Sequence, residues 1–116
     1  MILCVMDDLI FSIKIQTAAK SIGGVDLFFE RSPDMILGRI REKRPSLVIF
    51  DLNSVKLNPL GAIAELKADP ATRGIRTLGF VSHVHADVIE AARQTGVDEV
   101  LARSAFSAQL KEILAR

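Results

Sequence analysis

At 116 residues, 49% hydrophobic and 25% charged, the chain has the size and balance of one globular domain, expected over residues 1–116, that needs no disulfide or structural metal. No stretch approaches the roughly 20 apolar residues of a membrane span, and 15 basic against 14 acidic residues leave a net charge of +1. Bulk charge therefore points to neither nucleic acid nor an anionic membrane as a partner, and any electrostatic function must be local.

The apolar start, Met1 to Met6, has no basic leader and is too short for a signal peptide, so it reads as a first strand of a protein expected in the cytoplasm. It ends on the adjacent carboxylates Asp7 and Asp8. Cys4 lies mid-strand, where a small buried thiol is common, and one cysteine makes no internal bridge. Phe11, Ile15, Ala18, Ala19 and Ile22 recur at helical spacing, with Lys14, Gln16 and Lys20 on other faces, until Gly23-Gly24 stops the helix. Val25 to Phe29 form a second apolar run. Ser32-Pro33-Asp34 then has the N-cap and first-turn chemistry of a helix that buries Ile36, Leu37 and Ile40. Its last turns carry Arg39, Arg41, Lys43 and Arg44, either a docking patch or cations offsetting the carbonyl end of the helix dipole.

Pro45 ends that helix, and Leu47-Val48-Ile49-Phe50 reads as a short strand buried on both faces, delivering Asp51. A loop from Leu52 leads to Asn58-Pro59, an N-cap with proline at the first helical position, and to a helix carrying Leu60, Ile63, Ala64 and Leu66. After Asp69-Pro70 comes a fourth strand, Thr77 to Val81, ending at Ser82. A helix from about Ala86 to Thr95 is expected to bury Val88, Ile89 and Ala92, with Gly96 as its stop. The fifth strand, Glu99 to Ala102, ends at Arg103. Ser104 or Ser107 is expected to cap the last helix, with Leu110, Ile113 and Leu114 inward. Five strands alternating with five helices, joined by right-handed crossovers, make a three-layer α/β/α sandwich. In a doubly wound parallel sheet the strand ends meet along one edge, so Asp7, Asp8 and Asp51 are expected to converge in one crevice.

Asp7-Asp8 after the first strand, Asp51 after the third, Ser82 after the fourth and basic Arg103 after the fifth together resemble a response-regulator receiver domain over the whole chain. The resemblance implies a flavodoxin-like fold with a five-stranded parallel sheet in the order 2-1-3-4-5. It implies that Asp51 is a phosphoacceptor, that Ser82 hydrogen-bonds a phosphoryl oxygen and that Arg103 supplies a cation to the same group. Three carboxylates in one crevice repel, by about 1 kcal/mol per close pair in water and about 4 nearer protein. A divalent cation cancels that repulsion. Mg²⁺ prefers hard oxygens, so Asp8 and Asp51 directly, Asp7 through water and the Asn53 backbone carbonyl would serve. Two-component signal transduction is then the implied setting, with a histidine kinase or phosphotransfer protein as donor and a downstream protein as recipient, and no independent enzyme activity. With no DNA-binding segment in the sequence, output is expected through a protein surface, and a homodimer through about Ala86 to Arg116 is carried by the resemblance alone.

Departures from the family qualify this. Arg103 stands for the usual lysine, and a planar guanidinium is not equivalent to a compact ammonium. It could bind phosphate, or lock Asp51 in a salt bridge and leave a pseudo-receiver, a phosphorylation-independent interaction module. Ser104 replaces the usual cis proline, and a non-proline cis bond costs about 3 to 4 kcal/mol, so this loop is expected to be trans. Val100 stands where an aromatic often swings, and the Leu52 to Pro59 loop is about two residues longer than usual. A dehalogenase-type phosphatase would want D-x-D after the first strand, and a flavodoxin a phosphate loop that Asp7-Asp8 would oppose. His83 and His85 make a weak metal pair, and His83 reads better as a gatekeeper beside the pocket.

Overall fold

The computed structural model describes residues 1–82 and 85–116; the expectation for His83 lies outside them. The strands are β1 (Ile2–Val5), β2 (Leu27–Glu30), β3 (Leu47–Asp51), β4 (Arg76–Val81) and β5 (Glu99–Ala102). All pair in parallel, in the order β2-β1-β3-β4-β5. The helices are α1 (Leu9–Ile22), α2 (Ile36–Lys43), α3 (Pro59–Ala68), α4 (Ala86–Gln94), α5 (Arg103–Ala108) and α6 (Leu110–Ala115). The architecture is the three-layer α/β/α sandwich expected.

Strand pleat explains how one apolar run feeds two cores, since alternate side chains leave opposite faces. Ile2, Cys4, Met6, Leu47, Ile49, Leu78 and Phe80 share one cluster with Phe11 and Ile15 of α1 and with Phe106, Leu110 and Ile113 of α5 and α6. Leu3, Val5, Val48 and Phe50 share the other with Ile36 and Ile40 of α2, Ile63 and Leu66 of α3 and Ala92 of α4. The central strands are therefore covered on both sides. In the first core Phe80 stacks on Phe106 at 4.8 Å between centroids, and Phe11 lies tilted 5.1 Å from Phe80 and 5.9 Å from Phe106. Each such pair contributes about 0.5–1.5 kcal/mol beyond its buried area.

The structure departs from the sequence expectations at several helix ends. α5 begins at Arg103 itself, directly on β5, with Ala102 at the N-cap, so neither Ser104 nor Ser107 caps it. Gln109 then interrupts the expected single helix. No cis peptide occurs among the described residues. The second helix is entered through a 3-10 turn, Pro33–Met35, and the Ser32 side chain makes no cap bond. β2 starts at Leu27 rather than Val25. In α4 only Ala92 is buried, while Val88 is exposed and Ile89 half-buried, because this helix lies at the sheet edge. The basic end of α2 is largely absorbed internally: Arg39 pairs with Glu30 at 3.1 Å, Arg41 with Asp69 at 3.3 Å, and Lys43 lies 4.5 Å from the Phe28 ring.

At the opposite edge of the sheet from the strand-end carboxylates, Asp98 Oδ2 accepts Lys67 Nζ at 3.0 Å, the Thr77 backbone N–H at 2.8 Å and the Thr77 hydroxyl at 3.0 Å. Lys67 also donates to the carbonyls of Arg73 and Ile75. This cluster clasps the start of β4 to the turn before β5.

Candidate functional site

Val5 of β1 lies opposite Phe50 of β3, so Asp7 and Asp8 leave β1 beside the point where Asp51 ends β3. The parallel register makes this inevitable. Asp7 is half-buried, and Asp8 is at once the N-cap of α1: its Oδ1 accepts the Phe11 N–H at 2.9 Å, and its carbonyl accepts the Ser12 hydroxyl at 2.8 Å. That Phe11 bond, against the opposing effect of burial and with help from Arg103, holds the Asp8 carboxyl below its ordinary range.

The second Asp8 oxygen is also engaged. Arg103 Nη2 donates to Asp8 Oδ2 at 3.0 Å, and the guanidinium carbon lies 4.3 Å from the Phe11 ring centroid. In the sheet β3 and β4 separate β1 from β5, and the Arg103 and Asp8 side chains meet across that gap on the α1–α5 face. Of the two alternatives left open for Arg103, the salt bridge to Asp51 is not formed. The guanidinium is on Asp8, where the Phe11 ring offers its planar face a surface 4.3 Å away.

Asp51, at 6% exposure, is held instead by Asn53. Its Oδ1 accepts both the Asn53 backbone N–H, at 2.9 Å, and Asn53 Nδ2, at 2.8 Å. Asn53 Oδ1 in turn accepts the Ser82 backbone N–H at 3.0 Å. One side chain thus ties the end of β3 to the end of β4. The sequence reading gave Asn53 only a backbone carbonyl; the Asp-x-Asn spacing, which favours Asx-type turns, is the signal that could have found it. Phe11, read only as a core residue, likewise doubles as the perch of Arg103. The loop beyond is folded on itself, with Leu57 N–H donating to the buried Ser54 hydroxyl at 3.2 Å, Leu57 itself buried and Val55 fully exposed at the tip.

Asp8, Asp51 and the Asn53 carbonyl are hard oxygen donors on neighbouring chain ends, the type a hard divalent cation takes. Among the described residues, no three His, Cys, Asp or Glu side chains are gathered as a ready metal cluster. The donor set fits by chemistry, but both oxygens of Asp8 and one of Asp51 are already engaged by the chain's own donors. Val100 is half-buried, opposite Gly79 in register, and packs into the second core.

No family model and no curated protein matches the sequence. Solved structures do. The Mn²⁺-bound form of response regulator Rcp1 superposes with a TM-score of 0.80 at 21% identity, covering 97% of this chain and 89% of that one. A response regulator from Hahella chejuensis gives 0.85 at 16% identity, covering 98% and 92%. The phosphorylated cyanobacterial phytochrome response regulator RcpA gives 0.76 at 22% identity, covering 97% and 87%. The fold is that of the response-regulator receiver domain. Within this receiver fold the carboxylates, Asn53 and Arg103 occupy the carboxyl-terminal edge of the sheet, where open α/β sheets place their ligands. No helix among the described residues is long and apolar enough to cross a membrane.

Proposed function

We propose that the chain is an atypical receiver in two-component signalling: it accepts a phosphoryl group on Asp51 with the help of a divalent cation, Mg²⁺ first among them, and signals through protein contacts. The observation that carries this reading is the buried Asp51 carboxylate at the sheet edge, fixed through one oxygen by Asn53, beside Asp7 and Asp8. Both hydrogen bonds converge on Oδ1, so we assign the nucleophile to Oδ2. Its bond to phosphorus forms as the donor's bond to phosphorus breaks and the leaving group departs. A bound cation would neutralise the carboxylates as the anionic phosphoryl group approaches. Asp8, Asp51 and the Asn53 carbonyl would hold it, with Asp7 through water. Ser82, its backbone already tied to Asn53, and Arg103 would meet the phosphoryl oxygens.

The donor is then a histidine kinase or phosphotransfer protein. The known Mn²⁺-bound and phosphorylated regulators of this fold support both halves of the reading. The recipient is a protein, and the surface from Ala86 to Arg116 suits it or a second copy: α4 buries only Ala92, and β5 is a sheet edge. We ascribe to the chain no chemistry beyond its own phosphotransfer and dephosphorylation, and a cytoplasmic location.

A second reading is a phosphorylation-independent interaction module, favoured by the engagement of Asp8 by Arg103 and of Asp51 by Asn53. Intact mass after incubation with Mg²⁺ and acetyl phosphate separates the two, with Asp51→Asn as control. One phosphoryl group gained only with Mg²⁺ and Asp51 is the receiver's result; none gained overturns it and leaves the module.

A further inference from the structure

We propose that Arg103 is a resident counter-cation of this site, occupying the Asp8 oxygen that a divalent cation must take, so that metal entry and release of Arg103 are one exchange. The inference rests on the receiver reading above. Its starting point is the division of labour between the two oxygens of Asp8. Oδ1 caps α1 through the Phe11 N–H, and giving that up would cost the helix its only side-chain cap. Oδ2 is therefore the oxygen available to a metal, and it already carries the guanidinium.

Three features make the arrangement an exchange rather than a permanent lock. The pair is about one-third exposed on each side, 37% for Arg103 and 35% for Asp8, so it is open to solvent and to ions, and exposed pairs of this kind are weak. A guanidinium and a divalent cation on one carboxylate oxygen repel each other. The Phe11 ring, 4.3 Å from the guanidinium carbon, remains as a resting face that keeps the released side chain at the site. Arg103 thereby lowers the site's affinity for metal in the resting protein and is set free at the moment the metal arrives.

Magnesium binding by calorimetry, and Mn²⁺ binding by electron paramagnetic resonance, test this on wild type, Arg103→Met, Arg103→Lys and Arg41→Met. Arg41 lies on α2, paired with Asp69, and its replacement removes the same charge away from the site. Arg103→Met should tighten metal binding roughly 3- to 10-fold, the equivalent of one weak exposed pair. Arg103→Lys should fall between it and wild type, and Arg41→Met should bind as wild type does. Equal affinity for wild type and Arg103→Met, or equal tightening by Arg41→Met, overturns the exchange while leaving the receiver reading intact. Absence of metal binding in every variant, together with absence of Mg²⁺-dependent phosphorylation, overturns both.

Discussion

The side-chain amide of Asn53 stands 2.8 Å from Asp51 Oδ1, on the oxygen that also accepts the Asn53 backbone N–H. Because the same side chain receives the Ser82 N–H, it is a cross-tie between two strand ends. Asn53→Ala keeps the backbone carbonyl but removes both side-chain bonds, and should lower stability by about 1–2 kcal/mol in urea titration, with metal binding retained. Unchanged stability would show that the amide does not hold β3 to β4.

Gly79 sits opposite Phe50 in β4, and a Cβ there would lie 2.7 Å from Leu52 Cδ1 and 2.9 Å from its Cγ. Leu52 follows Asp51 directly, its N–H bonded to the Phe80 carbonyl at 3.0 Å. Gly79→Ala must push Leu52 aside and should cost about 1–3 kcal/mol. Adding Leu52→Ala should make the double variant more stable than the sum of the single effects predicts. Strict additivity in thermal melts would rule out this contact as the cause.

The Asp98 cluster sets a pH dependence. Desolvation raises the Asp98 carboxyl, but Lys67 and the two Thr77 donors outweigh it, so its folded value lies below the ordinary 3.8. A lowered folded value means that the unfolded chain takes up the proton first: the contribution is complete above the unfolded value and is lost as pH falls through the folded one. Asp98→Asn should therefore be less stable than wild type at neutral pH, and the gap should close well below pH 3.8. A gap that stays constant in urea midpoints across that range would contradict the assignment.

Cys4 is fully buried in β1, and burial pushes its thiol up to about 12. The thiolate is the reactive form, so iodoacetamide at neutral pH should leave the native protein unlabelled while labelling it fully in urea. Rapid native labelling, read by mass, would show instead that β1 opens.

The elements were legible where apolar periodicity and a stop signal agreed. Leu47 to Phe50 could be read as a doubly buried strand because nothing in it is polar, and Gly23 as the end of α1 because only glycine accepts its φ of 81° readily. The strand-end carboxylates followed from the same runs. What was not legible depended on partners distant in sequence. Ser104 and Ser107 have the right chemistry for a cap, but α5 starts earlier, because Phe106 must reach the Phe11–Phe80 stack. The choice of Arg103 between Asp51 and Asp8 turns on the Phe11 ring, 92 positions away, and no local pattern announces it. Val88 and Ile89 have helical spacing, yet a helix at the sheet edge has too little sheet beneath it to cover them.

The direct join of β5 to α5 ties the site to the interior by register. Arg103 and Phe106 are three positions apart on a helix that starts without a connecting loop, so one reaches Asp8 while the other enters the aromatic stack. Each residue turns an α-helix by about 100°, and a single insertion between Ala102 and Arg103 would swing both side chains off their targets together. Chain length at this junction is thus frozen. Sequence change can alter which cation stands at Arg103, but an insertion or deletion there would be tolerated only with a matching change inside α5.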